Sequence, residues 1–176
     1  INKKIFKHYF LKTDLKNLPN LNYPKKGNLE YQKNLIKKFN NIKIQSSSMT
    51  CPHLIELLLM KFKKDESFNF LDIGGEKIDF YLSLKKNFKN VRYFLYNQKS
   101  IIEQFHQIKL EFKYNDFHII DNFEEIFINN YDFVNFGSCI QYFGNYEEVL
   151  KKITNNSKYI FFCCTHLYDS LVDDVN

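Results

Sequence analysis

Phe68-Asn69-Phe70-Leu71-Asp72-Ile73-Gly74-Gly75 is the stretch that decides the fold. Its apolar run is strand-sized, ends beside an acid and is closed by two glycines. A nearly continuous apolar run of this length marks a strand buried on both faces. Upstream, Leu54, Ile55, Leu58, Leu59 and Phe62 recur at helical spacing and predict an amphipathic helix over residues 50–64. Downstream, Ile78, Tyr81, Leu82 and Phe88 share one side of a second helix. Val91 to Tyr96 is the next strand, followed by a helical stretch around Ile101 to Ile108. Phe117 to Ile120 and Asp132 to Phe136 are two further short apolar runs. Asn145 with Glu148 three residues on resembles a capping box, opening a helix through Val149, Leu150 and Ile153. Tyr159 to Cys164 is the fifth strand. Buried strands with helices between most of them predict an α/β fold with a mostly parallel sheet covered on both faces. In such a sheet, ligands bind at the carboxyl ends of the strands, near the point where strand order reverses.

The rest of the composition bounds the function. The chain has 176 residues, 44% of them hydrophobic and 18% aromatic, enough for a packed core. No apolar run reaches the roughly 18 to 20 residues of a membrane helix, and no charged-then-apolar leader opens the chain. Cys51, Cys139, Cys163 and Cys164 form no CxxC pair, which argues for a reducing, cytoplasmic setting and against a disulfide framework or a zinc site. The formal charge of +5 is uneven: residues 1–43 hold 11 Lys against Asp14 and Glu30, a balance of +9. Arg92 is the one arginine, and the chain has no Ala and no Trp. That pattern fits the codon bias of an AT-rich, low-GC genome, and it is nearly devoid of arginine, the residue best suited to phosphate and guanine contacts. Nucleic acid is therefore not the expected partner. Residues 1–44 read as a lysine-rich, partly helical arm, with Leu29, Leu35, Ile36, Phe39 and Ile42 on one helical face. Gln45-Ser46-Ser47-Ser48 is a short linker, and residues 45–176 form the α/β domain.

The residues just after each strand carry the chemistry. Asp72, Gly74 and Gly75 have the form of a nucleoside-binding first loop: glycine admits close backbone approach, and the free N–H groups of the following helix start can meet a carboxylate or phosphate. After the second strand stands Asn97, where nucleoside sites often place an acid for the ribose hydroxyls. Asp121 follows the third strand and could reach an adenine amine. Ser138, Gln141 and Tyr142 follow the fourth strand, and Thr165 and His166 the fifth. His8, His53, His106 and His118 have no metal-ligand spacing, so no metal is expected.

Together these residues resemble the class I S-adenosylmethionine-dependent methyltransferases, over roughly residues 50–168. They are most similar to a bacterial methyltransferase branch associated with surface-polysaccharide loci. Leu71-Asp72-Ile73-Gly74-Gly75 looks like the first motif, Asn97-Gln98 with Glu103 like the segment after the second strand, and Ser138-Cys139-Ile140-Gln141-Tyr142 like the Ser-x-Leu-Gln-Tyr pattern. The resemblance implies a three-layer Rossmann-like fold and S-adenosylmethionine held by Asp72, Gly74, Gly75, Asn97, Asp121 and Ser138. It implies a small-molecule or sugar acceptor, with His166 and Tyr142 as candidate catalytic residues. The departures are specific. Glu76 and Ile78 stand at the later two glycine positions of the motif, where a side chain costs on the order of 1 to 3 kcal/mol if glycine's backbone freedom is needed. Asn97 replaces an acid, for roughly another 1.5 to 3 kcal/mol. The last two strands of the fold are expected to be missing or outside this chain. Two readings follow: a working methyltransferase, or a catalytically inactive relative with a binding or scaffolding role. A nicotinamide-dependent enzyme would need Gly-x-Gly-x-x-Gly and an acid after the second strand, and the chain has neither.

Overall fold

The Phe68–Ile73 run is the central strand of the sheet, β1 (Ser67–Ile73), buried along almost its whole length. A computed structural model describes residues 29–41 and 52–163, all within one compact unit spanning residues 26–165. Before β1 come helices α1 (Leu29–Asn41) and α2 (Pro52–Lys61). After it follow α3 (Ile78–Asn87), β2 (Asn90–Tyr96), α4 (Lys99–Phe112) and β3 (Phe117–Ile119). A short 3-10 turn over Phe123–Phe127 then leads to β4 (Tyr131–Gly137), a second over Ile140–Tyr142 leads to α5 (Tyr146–Asn155), and β5 (Ser157–Cys163) follows. Among the described residues the five strands are all parallel and lie in the order β3-β2-β1-β4-β5. This is the Rossmann-like arrangement. Strand order reverses between β1 and β4, which places the crevice for a ligand above their carboxyl ends.

One row of aromatic side chains crosses the whole sheet. Phe117, Tyr93, Phe70, Phe133 and Tyr159 are register partners from β3 through β2, β1 and β4 to β5. The inner rings stack, Phe117 on Tyr93 at 5.2 Å, Tyr93 on Phe70 at 5.7 Å and Phe70 on Phe133 at 5.5 Å between centroids. Parallel strands bring the same face of each neighbour together, so one residue type repeated at each register position makes a continuous ladder. The core on that side is completed by Leu54 and Leu58 of α2, Tyr81 and Leu84 of α3, and Phe105 and Ile108 of α4. On the opposite face, Leu71, Ile73, Val134 and Phe136 meet Ile126, Ile140, Val149 and Ile153.

Helix α1, whose residues the sequence places in the lysine-rich arm, packs against α3 and α4 inside this unit, with Gln32 and Ile36 fully buried. The expected capping box at α5 does not form. Asn145 stands at the N-cap without a side-chain cap bond, and its Nδ2 donates to Glu148 Oε2 at 3.4 Å. Its ψ of 43° departs from the extended backbone that aims a cap oxygen at the first-turn N–H groups. None of the helices among the described residues is long and apolar enough to cross a membrane. The linker Gln45 to Ser48, and Thr165 and His166, lie outside the described residues.

Candidate functional site

At the end of β1 the chain must turn sharply beneath the loop that follows β4. Gly74 takes φ +84°, and a Cβ there would lie 2.8 Å from Cys139 Cβ and 3.0 Å from the Gly137 carbonyl oxygen. Only glycine has both the left-handed backbone and the missing side chain that this approach requires. The Gly74 N–H donates to the Tyr96 carbonyl at 2.8 Å, so β2 holds the turn from the other side. Gly75 is constrained differently: a Cβ there would meet the Asp72 carboxylate, with Cγ at 2.6 Å, and Leu95 Cδ1 at 3.1 Å.

Asp72 lies one step above the aromatic row, opposite Leu95 of β2 and Asn135 of β4. It is 3% exposed, and both oxygens are engaged: Tyr93 reaches up from the row below to donate its hydroxyl to Oδ2, and Asn135 Nδ2 donates to Oδ1 at 2.8 Å. Burial pushes the Asp72 carboxyl from 3.8 up to about 6, against the two hydrogen bonds that favour its ionised form, and the nearby Asp79 adds to the rise. Tyr93 is held well above its ordinary value, by burial first and then by the Asp72 charge. Asp79, in the first turn of α3, is also raised by burial, partly offset by Lys77. Asp79 Oδ1 and Asn135 Oδ1 are buried without a hydrogen-bond partner. The carboxyl end of β1 thus carries two buried acids and two unsatisfied acceptor oxygens, a setting that favours hydrogen-bond donors and positive charge. Cys139 closes the cluster. Its Sγ donates to the Ile73 carbonyl at 3.1 Å, and burial, then Asp72, push the thiol up to about 12.

Two expectations about the first loop are corrected. Glu76 and Ile78 stand at motif glycine positions, yet Gly74, Lys113 and Ser138 are the residues with positive φ among those described. The loop demands glycine's freedom at Gly74 and not at 76 or 78, so the expected strain is absent. Ile78 is fully buried as the first residue of α3, and Glu76 is exposed. The N–H groups at the start of α3 are also not all free for an anion. The Ile78 N–H donates to Gln32 Oε1 at 2.9 Å, and Gln32 Nε2 donates to the Glu76 carbonyl at 2.5 Å.

The remaining candidates surround this loop. Asn97 Nδ2 donates to the Gly75 carbonyl at 2.8 Å, and its Oδ1 accepts from the Gln98 N–H at 2.7 Å. Its amide therefore braces the loop and keeps one oxygen lone pair for any further contact. Asp121 is exposed and lies 2.7 Å from His106 Nε2 of α4. Ser138 holds φ +57°, the left-handed backbone that non-glycine residues adopt mostly at strained turns and ligand sites. Gln141 Nε2 donates to its carbonyl at 2.6 Å. Tyr142 is 72% exposed. His166 falls outside the described residues. A groove lined by Leu59, Met60, Phe62 and Glu66 adjoins the start of β1, at the amino end of the strand, and contains none of these candidates. Among the described residues no group of three or more His, Cys, Asp or Glu is placed to hold a metal ion.

No family model matches the chain, and no curated protein matches it. Solved structures do. Precorrin-6y C5,15-methyltransferase from Geobacter metallireducens GS-15 is 15% identical with a TM-score of 0.47, over 68% of this chain and 64% of that one. Coclaurine N-methyltransferase bound to N-methylheliamine and SAH is 18% identical with a TM-score of 0.49, over 68% of this chain and 38% of that one. Shikimate dehydrogenase from Aquifex aeolicus is 14% identical with a TM-score of 0.41, over 61% and 47%. The chain spans less than two thirds of the length of each.

Four residues of the site escape a reading of strand ends. Tyr93, Asn135 and Asp79 are the surroundings of Asp72, and Gln32 secures the loop. Asn135 and Gln32 each had a signal: a lone amide between Val134 and Phe136 in the apolar part of its strand, and a lone amide on the apolar face of α1 between Leu29 and Ile36. A polar side chain in such a place is buried with a partner or not at all.

Proposed function

We propose that this protein is an S-adenosylmethionine-dependent methyltransferase acting on a small-molecule or sugar acceptor. The observation that carries this reading is the first loop. At the strand reversal, Gly74 turns tightly against the loop after β4, and the Glu76 side chain is exposed. The residues present fit the cofactor. Backbone at Gly74 and Gly75 would flank its amino-acid portion, where the unsatisfied Asp79 and Asn135 oxygens favour a donor. The free lone pair of Asn97 would meet a ribose hydroxyl, and Asp121 the adenine amine. Asp72, fully enclosed, acts through Gly75 by fixing where the loop runs.

Bound S-adenosylmethionine supplies a methyl group activated on a sulfonium, which leaves by in-line displacement. The protein's part is mainly to hold donor and acceptor in line. A hydroxyl acceptor also needs a base, for which Tyr142 and His166 are the candidates. Calorimetric titration with S-adenosylmethionine and SAH tests the reading. Micromolar binding is expected, weakened about tenfold or more by Asp121→Ala, in line with the loss of a hydrogen bond to a charged group. A substitution at Gly75 would be a poor control, because it collides with Asp72. No heat at millimolar ligand from folded protein would sink the enzyme reading and leave a methyltransferase-like fold put to another use.

A further inference from the structure

We infer that Gln32 of α1 is a positioning residue for the cofactor loop, an inference that rests on the methyltransferase reading for its functional consequence. Gln32 is fully buried on an otherwise apolar helix face. Both ends of its amide are spent on a segment 44 to 46 residues away: Nε2 on the Glu76 carbonyl at 2.5 Å and Oε1 on the Ile78 N–H at 2.9 Å. Nothing local does this work, since Lys77 occupies the N-cap of α3 and offers no side-chain bond. Replacing Gln32 by an apolar residue would leave a buried donor and a carbonyl without partners.

The loop is pinned from two directions. On the β2 side, Gly74 N–H reaches the Tyr96 carbonyl and the Gly75 carbonyl accepts from Asn97, both at 2.8 Å. On the other side Gln32 is the anchor, and it holds the segment that carries Glu76. Once released, this segment samples other conformations, some with the Glu76 carboxylate turned toward the ligand's own carboxylate. A ligand that needs the ordered loop then binds more weakly by the fraction of molecules that keep it: one tenth ordered means roughly tenfold weaker apparent affinity. Helix α1 is in this sense part of the binding site without touching the ligand.

The test uses the full chain and three variants. Gln32→Met keeps the length and removes both polar ends. Gln32→Glu keeps the acceptor for Ile78 and loses the donor for Glu76. Ile36→Val loosens the same helix one turn away from the loop and serves as the comparison for a merely structural effect. SAH affinity is read by calorimetry, and hydrogen exchange at the Ile78 amide by NMR. For Gln32→Met the expected result is SAH binding weakened roughly tenfold with Ile78 exchange accelerated by at least about as much, a factor equal to about 1.4 kcal/mol. Gln32→Glu should fall between this and the parent, and Ile36→Val should change neither beyond about twofold. Unchanged affinity and unchanged exchange in Gln32→Met would overturn the inference, as would an equal effect from Ile36→Val. If Gln32→Met does not fold, the same comparison is decided by Gln32→Glu. If the parent protein binds no SAH, the methyltransferase reading fails by itself, and Ile78 exchange still decides whether Gln32 anchors the loop.

Discussion

Asp72→Asn should make the protein more stable at neutral pH, and the gain should vanish in acid. In the folded protein the Asp72 carboxyl titrates at about 6, against 3.8 for the ordinary group, because burial disfavours its charge more than Tyr93 and Asn135 restore it. Below pH 3.8 both folded and unfolded chains hold the proton. Between 3.8 and 6 the folded chain keeps a proton that the unfolded chain has lost, so raising the pH destabilises the fold. Above pH 6 both are ionised and the cost is complete. At ~1.4 kcal/mol per pH unit, the gap between 3.8 and about 6 amounts to ~3 kcal/mol at pH 7. The amide variant escapes this cost and still accepts from the Tyr93 hydroxyl. Asn135 can turn its amide so that its unsatisfied Oδ1 takes the new N–H donor.

The assay is urea unfolding of both proteins from pH 4 to pH 8, followed by circular dichroism or tyrosine fluorescence, since the chain has no Trp. Asp79 shares the direction of shift, but it is present in both proteins and largely cancels in the difference. The stability difference should be small at pH 4, grow through the window to pH 6 and level off near ~3 kcal/mol. A difference independent of pH, or one that grows toward acid, would refute the argument.

Two further outcomes follow from the same packing. Gly75→Ala should destabilise by about 1–3 kcal/mol, because its Cβ would lie 2.6 Å from Asp72 Cγ, a buried group held in place by Tyr93 and Asn135; a thermal scan showing no loss of Tm would contradict the packing. The Cys139 thiol, pushed from 9.0 to about 12, should hold roughly a thousandfold less thiolate than an ordinary cysteine. Peptide mapping after iodoacetamide treatment should find Cys139 unmodified in folded protein and modified in urea, and equal labelling in both would count against it.

The sheet was legible because its strands are short, mostly apolar runs, the central one buried along almost its whole length. Strands β1, β2 and β4 fall within one or two residues of the runs read from the sequence. What the sequence hid were the contacts that depend on strand order. Asp72 meets Tyr93 across 21 residues and Asn135 across 63, and both meetings require β1 to sit between β2 and β4. Asn97 could be assigned to its strand end, but not its bond to Gly75, which depends on how closely the β1 turn approaches β2. Gln32 was hidden by the division of the chain into arm and domain, a division its hydrogen bonds cross.

The glycine pattern shows why motif matching and physical reading diverge. A missing glycine weakens a loop only where the backbone needs positive φ or where a Cβ has no room. Here Gly74 meets the first condition and Gly75 the second, so both remaining glycines are at positions that demand them. At 76 the side chain finds solvent, and at 78 it finds the core, so neither substitution strains the turn. The backbone strain expected at those two positions is therefore absent. Asn97 meanwhile braces the Gly75 carbonyl. On the opposite side Gln32 holds the same segment through the Glu76 carbonyl and the Ile78 N–H, so the turn is hydrogen-bonded from both flanks.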